Sequence, residues 1–406
     1  MISSFLNGIR NFSPWITFYI TVSSACLFFL MGIHAAKYLI FLFAILSIVL
    51  TYQNSDYLKV SRPLLSFLFP FVPWFISVII LILVHGIDGF SYAYNAMLIM
   101  TLVFLGIQKI TFTRNGLICI LASFLVCMSI AIIAHVLYLG FIDNGVFSVN
   151  KNKVAGVITF LTISCLASFH FDRKLYPTNQ RIYIAFCIVV SLVSIVLLEA
   201  RTALLAFPAL AITCLLSNQK EDKKFAIIIT LIFITLVFCF FLSGQMQQGI
   251  EDLQSYQEGN SSTSWGIRLE LWKFAIYGFI EQPLFGWGDK PFAAIASSGY
   301  AFNVPSFGVF LPHFHSDFFQ TLATGGLVGI IGWFISLVLL LKDSWKDSTR
   351  LALLASIAAM GLADRYWAHW ITFFPFVTLW LMLYLSSRKT ETSYEKAYCL
   401  RNPPCL

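Results

Sequence analysis

The stretch "PHFHSDFFQTLATGG", residues 312–326, places two histidines and an aspartate at the start of an apolar run. His315 stands first in that run, and a neutral imidazole there could take a proton from a hydroxyl group. It could equally cap the helix or anchor it at a membrane interface. Asp317 could orient the imidazole, or it could be a first-turn carboxylate that suits the helix dipole. We expect His313 to have a secondary role.

Two histidines could also suggest zinc. However, His313 and His315 are only two residues apart and the pattern has no third strong ligand, so the metal signal is weak. The sequence also has no D-x-D motif, the usual holder of a divalent cation with a sugar nucleotide. We therefore predict a metal-independent site without a cofactor.

Two arginines are candidates for phosphate binding, because a planar guanidinium matches phosphate oxygens. Arg201 lies at the turn in "LLEARTALLAFP", where a cation is costly unless it faces a polar cavity or a partner. It could pair with Glu199 or extend to the membrane surface. Arg268 opens a helical segment, the unfavourable end of the dipole for a cation. It could pair with Glu270 or Glu251.

A third arginine, Arg365 in "ADRYWAH", is more ambiguous. It could pair with Asp364 or anchor the chain at the interface. Together with His313 and Asp317, it belongs to the groups that could contact a bound substrate.

The elements that carry these groups are membrane helices. Of 406 residues, 59% are hydrophobic and 11% are charged, against about 25% charged in a soluble domain. So much apolar surface predicts spans of about 20 residues. The nine cysteines form no C-x-x-C pair, and most are interpreted as small buried hydrophobes.

Hydropathy predicts an all-α, polytopic membrane protein with about 12 transmembrane helices. The predicted spans are 15–31, 35–51, 64–84, 92–107, 116–140, 154–169, 183–198, 202–216, 225–242, 318–341, 350–363 and 370–386.

The basic residues predict the orientation. With a cytoplasmic N-terminus, the inner loops hold 18 of the 26 Lys and Arg, as the positive-inside rule requires. The outer face holds the other eight: Lys37, Lys151, Lys153, Arg201, Arg268, Lys273, Lys290 and Arg365. The net charge of +7 therefore reflects topology and gives no reason to invoke nucleic acid.

The predicted organisation has four parts. Spans one to nine occupy residues 1–242, a large periplasmic loop occupies 243–317, spans ten to twelve occupy 318–386, and a cytoplasmic tail occupies 387–406. The loop contains "SYQEGNSSTSWG", expected to be polar and mobile. An amphipathic helix along the interface should follow, with apolar residues at helical spacing: Ile267, Leu271, Phe274, Ala275 and Gly278.

These residues predict a basic, histidine-bearing pocket on the outer face at lipid headgroup depth. Such a pocket would suit an anionic amphiphile, for example a lipid-linked diphosphate. The residues alone do not say what is done to it.

Three stretches, in this order, resemble the O-antigen ligase/polymerase superfamily, and most closely the O-antigen ligases of Gram-negative bacteria. They are "EARTALLAFP", "TSWGIRLELWKFAIYGFIEQPLFGWG" and "HFHSDFFQTLATGGLVG". The family's two arginines fall on Arg201 and Arg268, and its histidine–glycine motif falls on His315, Gly326 and Gly329. The chain departs from the family pattern at two positions. Ala200 stands where the family often has Ser, and Ile330 stands where it often has Ser or Thr.

The resemblance implies a glycosyltransferase of lipopolysaccharide biosynthesis in the bacterial inner membrane. Its substrates would be O-antigen linked to undecaprenyl diphosphate and a sugar hydroxyl of lipid A–core, joined on the periplasmic face among membrane lipids. Arg201 and Arg268 would clamp the diphosphate, His315 would act as the base, and direct attack would invert the anomeric centre.

Two alternatives stay open at this point. An O-antigen polymerase would use the same donor but extend another lipid-linked glycan. A flippase for lipid-linked sugars is less favoured, because it should carry charges through the membrane midplane, where these spans are nearly free of charge.

Overall fold

The computed structural model describes residues 66–86, 113–140, 145–146, 149–216, 220–288, 313–367 and 369–401. These residues form helices joined by short turns, with one two-residue antiparallel ladder between β1 (Gly145–Val146) and β2 (Val149–Asn150). The all-α class is therefore confirmed for this part of the chain. In order, the α-helices are α1 Val72–His85, α2 Arg114–Leu139, α3 Lys151–Phe171, α4 Thr178–Leu197, α5 Ala206–Leu215, α6 Lys220–Leu242, α7 Gln245–Gln257, α8 Ser264–Glu281, α9 Asp317–Ser344, α10 Ser348–Gly361 and α11 Trp370–Arg401.

Six of the described helices are long and apolar enough to cross a membrane. They are α1 with the turn before it (Ser66–His85), α2, α3, α4, α6 and α9; Arg201–Leu215, α10 and Thr372–Ser387 are shorter apolar helices. The protein is thus a polytopic, helical membrane protein. The predicted spans at 15–31, 35–51 and 92–107 lie outside the described residues, so the total of about twelve stays a prediction.

Helix α3 is the centre of the bundle. It packs against α2, α4, α5, α10 and α11, and nearly all of its residues are buried. Small and hydroxylic residues make this close packing possible, and Thr162 donates to the carbonyl of Ile158 at 2.7 Å while its oxygen lies 2.9 Å from that of Ser191. Its first turn consequently brings Lys153 into the protein interior rather than into solvent.

The segment predicted as a loop, 243–317, contains two helices. Helix α7 was not predicted, because its sequence is polar and rich in Gln and lacks the hydropathy of a span. The stretch expected to be mobile holds the last residues of α7 and the cap of α8, where Thr263 accepts the amide of Gly266 at 3.1 Å. Helix α8 ends at Glu281, just before Pro283, as expected.

The apolar face of α8 is the predicted one, but protein covers it. Leu271, Phe274, Ala275 and Gly278 are buried, and α8 packs on α9 and α7. Phe314 lies in the same apolar cluster, and Trp272 donates from Nε1 to its carbonyl at 3.0 Å. The expectation that this face lies along a lipid interface is therefore corrected: it joins the loop to a membrane span.

Helix α9 is broken at Gly326, whose φ of 56° lies in the left-handed region. The break frees the amides of Leu327 and Val328, which donate to the carbonyls of Pro283 and Leu284 at 2.8 and 3.1 Å. A side chain at Gly326 would meet those carbonyls at 2.7 Å. The turn after α8 thus supplies hydrogen-bond acceptors for the backbone amides that the break in α9 leaves free.

The apolar part of α11, Thr372–Ser387, agrees with the predicted span 370–386, and the backbone remains helical beyond it to Arg401. At this end of the bundle, charged groups pair with one another. Arg114 forms ion pairs with Asp172 and Asp347 at 2.9 and 2.8 Å, and the guanidinium of Arg350 lies 4.5 Å from the centre of the Trp380 ring. We name this the paired end.

Candidate active site

The other end of the bundle collects most of the residues that the sequence singled out. It is formed by the first turn of α3, the turn after α4, helix α7, the start of α8, residues 313–317 and residues 362–367. We name it the site end. Contacts between residues far apart in the chain join these elements, for example between Lys153 and Asp364 and between Arg201 and Asp252.

Asp364 is the central anion of the site end. Its Oδ1 accepts hydrogen bonds from Lys153 Nζ at 2.9 Å and from the Arg365 amide at 2.7 Å. The side chains of Lys153 and Asp364 are only 4% and 2% exposed. Burial opposes the charge on Asp364, but Lys153 and the two histidines, His315 and His313, hold its pKa well below the usual range. Asp364 is therefore ionised at physiological pH.

Both histidines face this carboxylate. His315 Nδ1 lies 3.5 Å from Asp364 Oδ1 without hydrogen-bond geometry, and His313 Nε2 lies 3.8 Å from the same oxygen. The two imidazole rings are 4.3 Å apart. Burial, His315 and Lys153 lower the pKa of His313 well below its usual range. His313 is thus a neutral neighbour at physiological pH.

His315 has a strained backbone. Among the described residues, Glu199 and His315 are the two non-glycine residues with positive φ, 52° and 50°. This conformation is costly for an L-residue and persists where the surroundings enforce it, often at functional sites. One of the two is His315 itself, and the other lies two residues before Arg201.

The ligand atoms of His313, His315 and Asp364 lie within 4.8 Å of one another, close enough to hold a metal ion. The third ligand that the sequence pattern lacked is therefore Asp364. However, Lys153 already donates to the same Asp364 oxygen that faces both histidines. A metal ion would have to displace the ammonium group from that oxygen, so the chemistry of the cluster favours an ion-paired carboxylate beside two imidazoles over metal binding.

Arg201 begins a short 3₁₀-helix, Arg201–Leu205, and helix α7 holds its side chain. Nη1 donates to the carbonyl of Gln245 at 3.0 Å, and Nη2 lies 3.9 Å from Asp252 Oδ2. Arg201 does not form the ion pair with Glu199 that the sequence suggested. Glu199 instead lies 3.6 Å from Lys151 Nζ and accepts a hydrogen bond from the side chain of Gln245.

Arg268 lies in the second turn of α8 and is 8% exposed. Its guanidinium lies 5.5 Å from the centre of the Trp265 ring, and it makes no hydrogen bond or ion pair with the residues that the structure describes. Glu270 instead binds Tyr256 and Lys273. Burial lowers the pKa of Arg268, Asp364 opposes this effect, and the charge of Arg201 adds to it. The two arginines thus share one electrostatic environment, and Arg268 lacks a close anion.

Asp317 does not orient His315 in the structure. Its carboxylate accepts the backbone amides of Tyr366 at 3.0 Å and Trp367 at 2.8 and 2.9 Å. A side chain at Gly361 would lie 2.3 Å from Asp317, which leaves that position to glycine. Asp317 therefore holds residues 362–367 against the start of α9, and the carboxylate beside His315 is that of Asp364.

Arg365 contributes its backbone to the site. Its amide donates to Asp364 and its carbonyl accepts from Lys153 Nζ at 2.5 Å. The suggested pairing of Arg365 with Asp364 thus occurs through the amide, while the side chain is buried. The neighbouring Tyr366 lies against α3, with its hydroxyl donating to the carbonyl of Asn152 at 3.1 Å.

The sequence did not single out Lys153, Asp252 or the carboxylate role of Asp364. Lys153 and Asp364 are separated by 211 residues, so no local spacing could pair them. One signal was present: Lys153 was among the eight basic residues assigned to the outer face, directly before the predicted span 154–169, which has no charged residue.

Comparisons with known proteins agree on one family. Residues 186–334 match the family model described as O-antigen ligase. The segment includes Arg201, Arg268 and His315.

Two curated proteins are similar to the chain. An O-antigen ligase of Escherichia coli (strain K12) is 25% identical over 210 residues, 47% of this chain and 49% of that protein. An uncharacterized protein of Haemophilus influenzae (strain ATCC 51907 / DSM 11121 / KW20 / Rd) is 28% identical over 199 residues, 45% of this chain and 47% of that protein. The chain thus spans about half the length of the curated relatives it matches. The family model and the Escherichia coli relative thus both show that part of this chain is similar to O-antigen ligases.

Proposed function

We propose that the protein is an O-antigen ligase, which transfers O-antigen polysaccharide from undecaprenyl diphosphate to a sugar hydroxyl of lipid A–core. The observation that carries this proposal is the convergence of Arg201, Arg268, His315 and Asp364 at the site end, three of them within the segment that matches the family. The donor and acceptor are both lipid-anchored, so a site at the end of a helical bundle can receive both from the membrane.

The arginines act on the leaving group. When the anomeric C–O bond breaks, negative charge develops on the undecaprenyl diphosphate. Arg268 is buried and has no anionic partner within hydrogen-bond distance among the described residues, so its charge is available to that group. Arg201, held by the carbonyl of Gln245, supplies the second cation. Preorganised cations in a water-poor site stabilise such charge strongly.

His315 acts on the acceptor. Its Nδ1 faces Asp364, which leaves Nε2 to receive the proton of the attacking hydroxyl. The acceptor oxygen forms a bond to the anomeric carbon as the bond to phosphate breaks, and the proton moves to His315. Asp364 then stabilises the imidazolium, in the way that a buried carboxylate supports a catalytic histidine. Direct attack inverts the anomeric centre, and no metal ion takes part.

The proposal fixes an orientation. The site end would face the periplasm of a Gram-negative bacterium, the protein would lie in the inner membrane, and both termini would be cytoplasmic. The basic residues assigned to the outer face support this, since Lys151, Lys153, Arg201, Arg268 and Arg365 all lie at the site end.

Deletion of the gene tests the function. The lipopolysaccharide of the deletion strain should lose its whole O-antigen ladder on a gel, while polymer accumulates on undecaprenyl diphosphate. Core bearing a single repeat unit would instead identify an O-antigen polymerase. Repeat units trapped on the cytoplasmic side would identify a flippase. The described spans disfavour that function, because their charged residues lie only near the helix ends.

A further inference from the structure

Helix α7 carries a cradle for Arg201. The Gln245 carbonyl accepts from Nη1 at 3.0 Å. One turn further on, the position of Gly249 leaves room for the guanidinium, because a side chain there would lie 2.5 Å from Nη1. After Gly249 comes Asp252, whose carboxylate lies 3.9 Å from Nη2. One helix therefore fixes the position of Arg201 from three sides.

Unlike the Gln245 carbonyl, the Asp252 carboxylate makes no hydrogen bond to Arg201. The residue is 7% exposed, and its Oδ2 is buried without a hydrogen bond. An ion-pair distance of 3.9 Å is too long for a direct hydrogen bond to Arg201. A buried carboxylate oxygen normally accepts a hydrogen bond. Asp252 Oδ2 accepts none, and only the nearby charge of Arg201 balances it.

We propose that Asp252 is the resident counter-ion of Arg201, which the diphosphate of the donor lipid displaces when it binds. The inference rests on the proposed function and extends it to the control of donor affinity. Before the donor lipid binds, Asp252 balances the charge of the half-buried guanidinium of Arg201. On binding, diphosphate oxygens replace the carboxylate on Arg201, while the Gln245 carbonyl keeps its hydrogen bond.

The proposed role predicts the direction in which diphosphate affinity changes when Asp252 is neutralised. A carboxylate that only positions Arg201 should weaken diphosphate binding when it is neutralised. A carboxylate that competes with the diphosphate should strengthen binding when it is neutralised, because its attraction to Arg201 and its repulsion of phosphate both disappear. The competitor is an anion, so weakly charged ligands should gain nothing from the change.

The test measures the affinity of the purified full chain in detergent micelles for farnesyl diphosphate, with farnesol as the uncharged comparison. Asp252→Asn keeps the size of the side chain and should lower the Kd for farnesyl diphosphate about threefold or more. Glu251→Gln is the matched control, since Glu251 is an exposed acid on the same helix that binds Gln247. It should leave the Kd unchanged.

The arginine variants separate the two proposals. Arg201→Ala and Arg268→Ala should each raise the Kd about tenfold or more. If they do while Asp252→Asn leaves affinity unchanged or reduces it, the counter-ion role is wrong and the diphosphate clamp stands. If both arginine variants bind farnesyl diphosphate as tightly as the natural chain does, the clamp itself is wrong, and the counter-ion role is wrong with it.

Discussion

At the scale of single residues, one carboxylate oxygen organises the site. Asp364 Oδ1 receives Lys153 and the Arg365 amide and faces both histidines. The ammonium of Lys153 offsets the cost of burying this anion, which in turn lies 3.5 Å from His315 Nδ1. The strained backbone of His315 holds the imidazole against that carboxylate at a cost of about 1–3 kcal/mol.

The base and its partner should differ in the size of their effects. We expect His315→Ala to reduce kcat about 100-fold or more, since it removes proton transfer. Asp364→Asn should reduce kcat about tenfold or more and leave the KM for the donor lipid unchanged, because in the proposed reaction the arginines bind the donor. His313→Ala should have the smallest effect. Transfer measured with purified protein and both lipid substrates checks the order.

Folding must be separated from chemistry in this experiment, because Asp364→Asn leaves Lys153 buried without its counter-ion. The double variant Lys153→Met/Asp364→Asn removes both charges and should recover thermal stability without recovering kcat. Recovery of kcat in the double variant would show that Asp364 serves the fold alone.

The three-ligand cluster makes a metal test necessary. We expect dialysis against EDTA to leave transfer unchanged, since Lys153 already occupies the shared oxygen of Asp364. The low pKa of His313 also predicts that His313→Gln leaves the acid limb of the pH–rate profile in place, because a group that is neutral throughout the profile cannot shape it. Loss of transfer with EDTA and its return with added zinc would reassign the cluster to a metal.

We expect Arg268 to lower the stability of the fold while being required for transfer. A buried guanidinium without a close anion costs free energy, so Arg268→Met should be as stable as the natural chain or more stable, by up to about 2 kcal/mol, while losing transfer. Arg350→Met is the control, because that buried arginine pairs with Asp343 and its loss should lower the apparent Tm. A large fall in Tm for Arg268→Met would mean that Arg268 serves the fold.

Residue type and order singled out Arg201, Arg268 and His315, because few charges occur in so apolar a chain, and the structure brings them to one end of the bundle. Their partners could not be found in this way. Asp364 seemed to belong with its neighbour Arg365, and Asp317 with its neighbour His315, since sequence reasoning pairs what is adjacent. The fold instead pairs Asp364 with the first turn of α3 and Asp317 with the amides of residues 366 and 367.

At the scale of elements, the joint between α8 and α9 positions the site. Gly326→Ala should destabilise the protein by at least about 2 kcal/mol, because the alanine needs positive φ and its Cβ meets the carbonyls of Pro283 and Leu284. Gly259→Ala is the matched control. Gly259 also has positive φ, 92°, but open space at its Cβ position, so backbone strain alone should cost about 1 kcal/mol.

The apparent Tm in detergent, followed by tryptophan fluorescence, measures both glycine variants. A fall no larger for Gly326→Ala than for Gly259→Ala would mean that the joint tolerates a side chain. Sequence alone indicated that α8 ends at a proline turn, yet it could not show that this turn binds the amides freed by the break in α9. The freed amides of Leu327 and Val328 bind the carbonyls of Pro283 and Leu284, which lie 44 residues earlier in the chain.

At the scale of the whole molecule, charge is arranged differently at the two ends of the bundle. At the paired end, Arg114 has two carboxylate partners. At the site end, Arg268 lacks one within the described residues, and Arg201 has a distant one. Hydropathy predicted nine of the described apolar helices to within a few residues, because the lipid solvent imposes their length. The polar helix α7 follows no such rule and was missed.

The two ends should lie on opposite sides of the membrane. Ser262 and Lys346 are exposed at the site end and the paired end, so cysteines at these positions, introduced one at a time into a variant without other cysteines, report the orientation. In intact cells whose outer membrane admits small molecules, a membrane-impermeant maleimide should label Ser262→Cys and spare Lys346→Cys. Permeabilising the inner membrane should make Lys346→Cys reactive, since the long helix α9 separates the two ends. Labelling of Lys346→Cys alone in intact cells would put the arginines and His315 on the cytosolic side, where the donor glycan is not joined to lipid A–core in the proposed reaction.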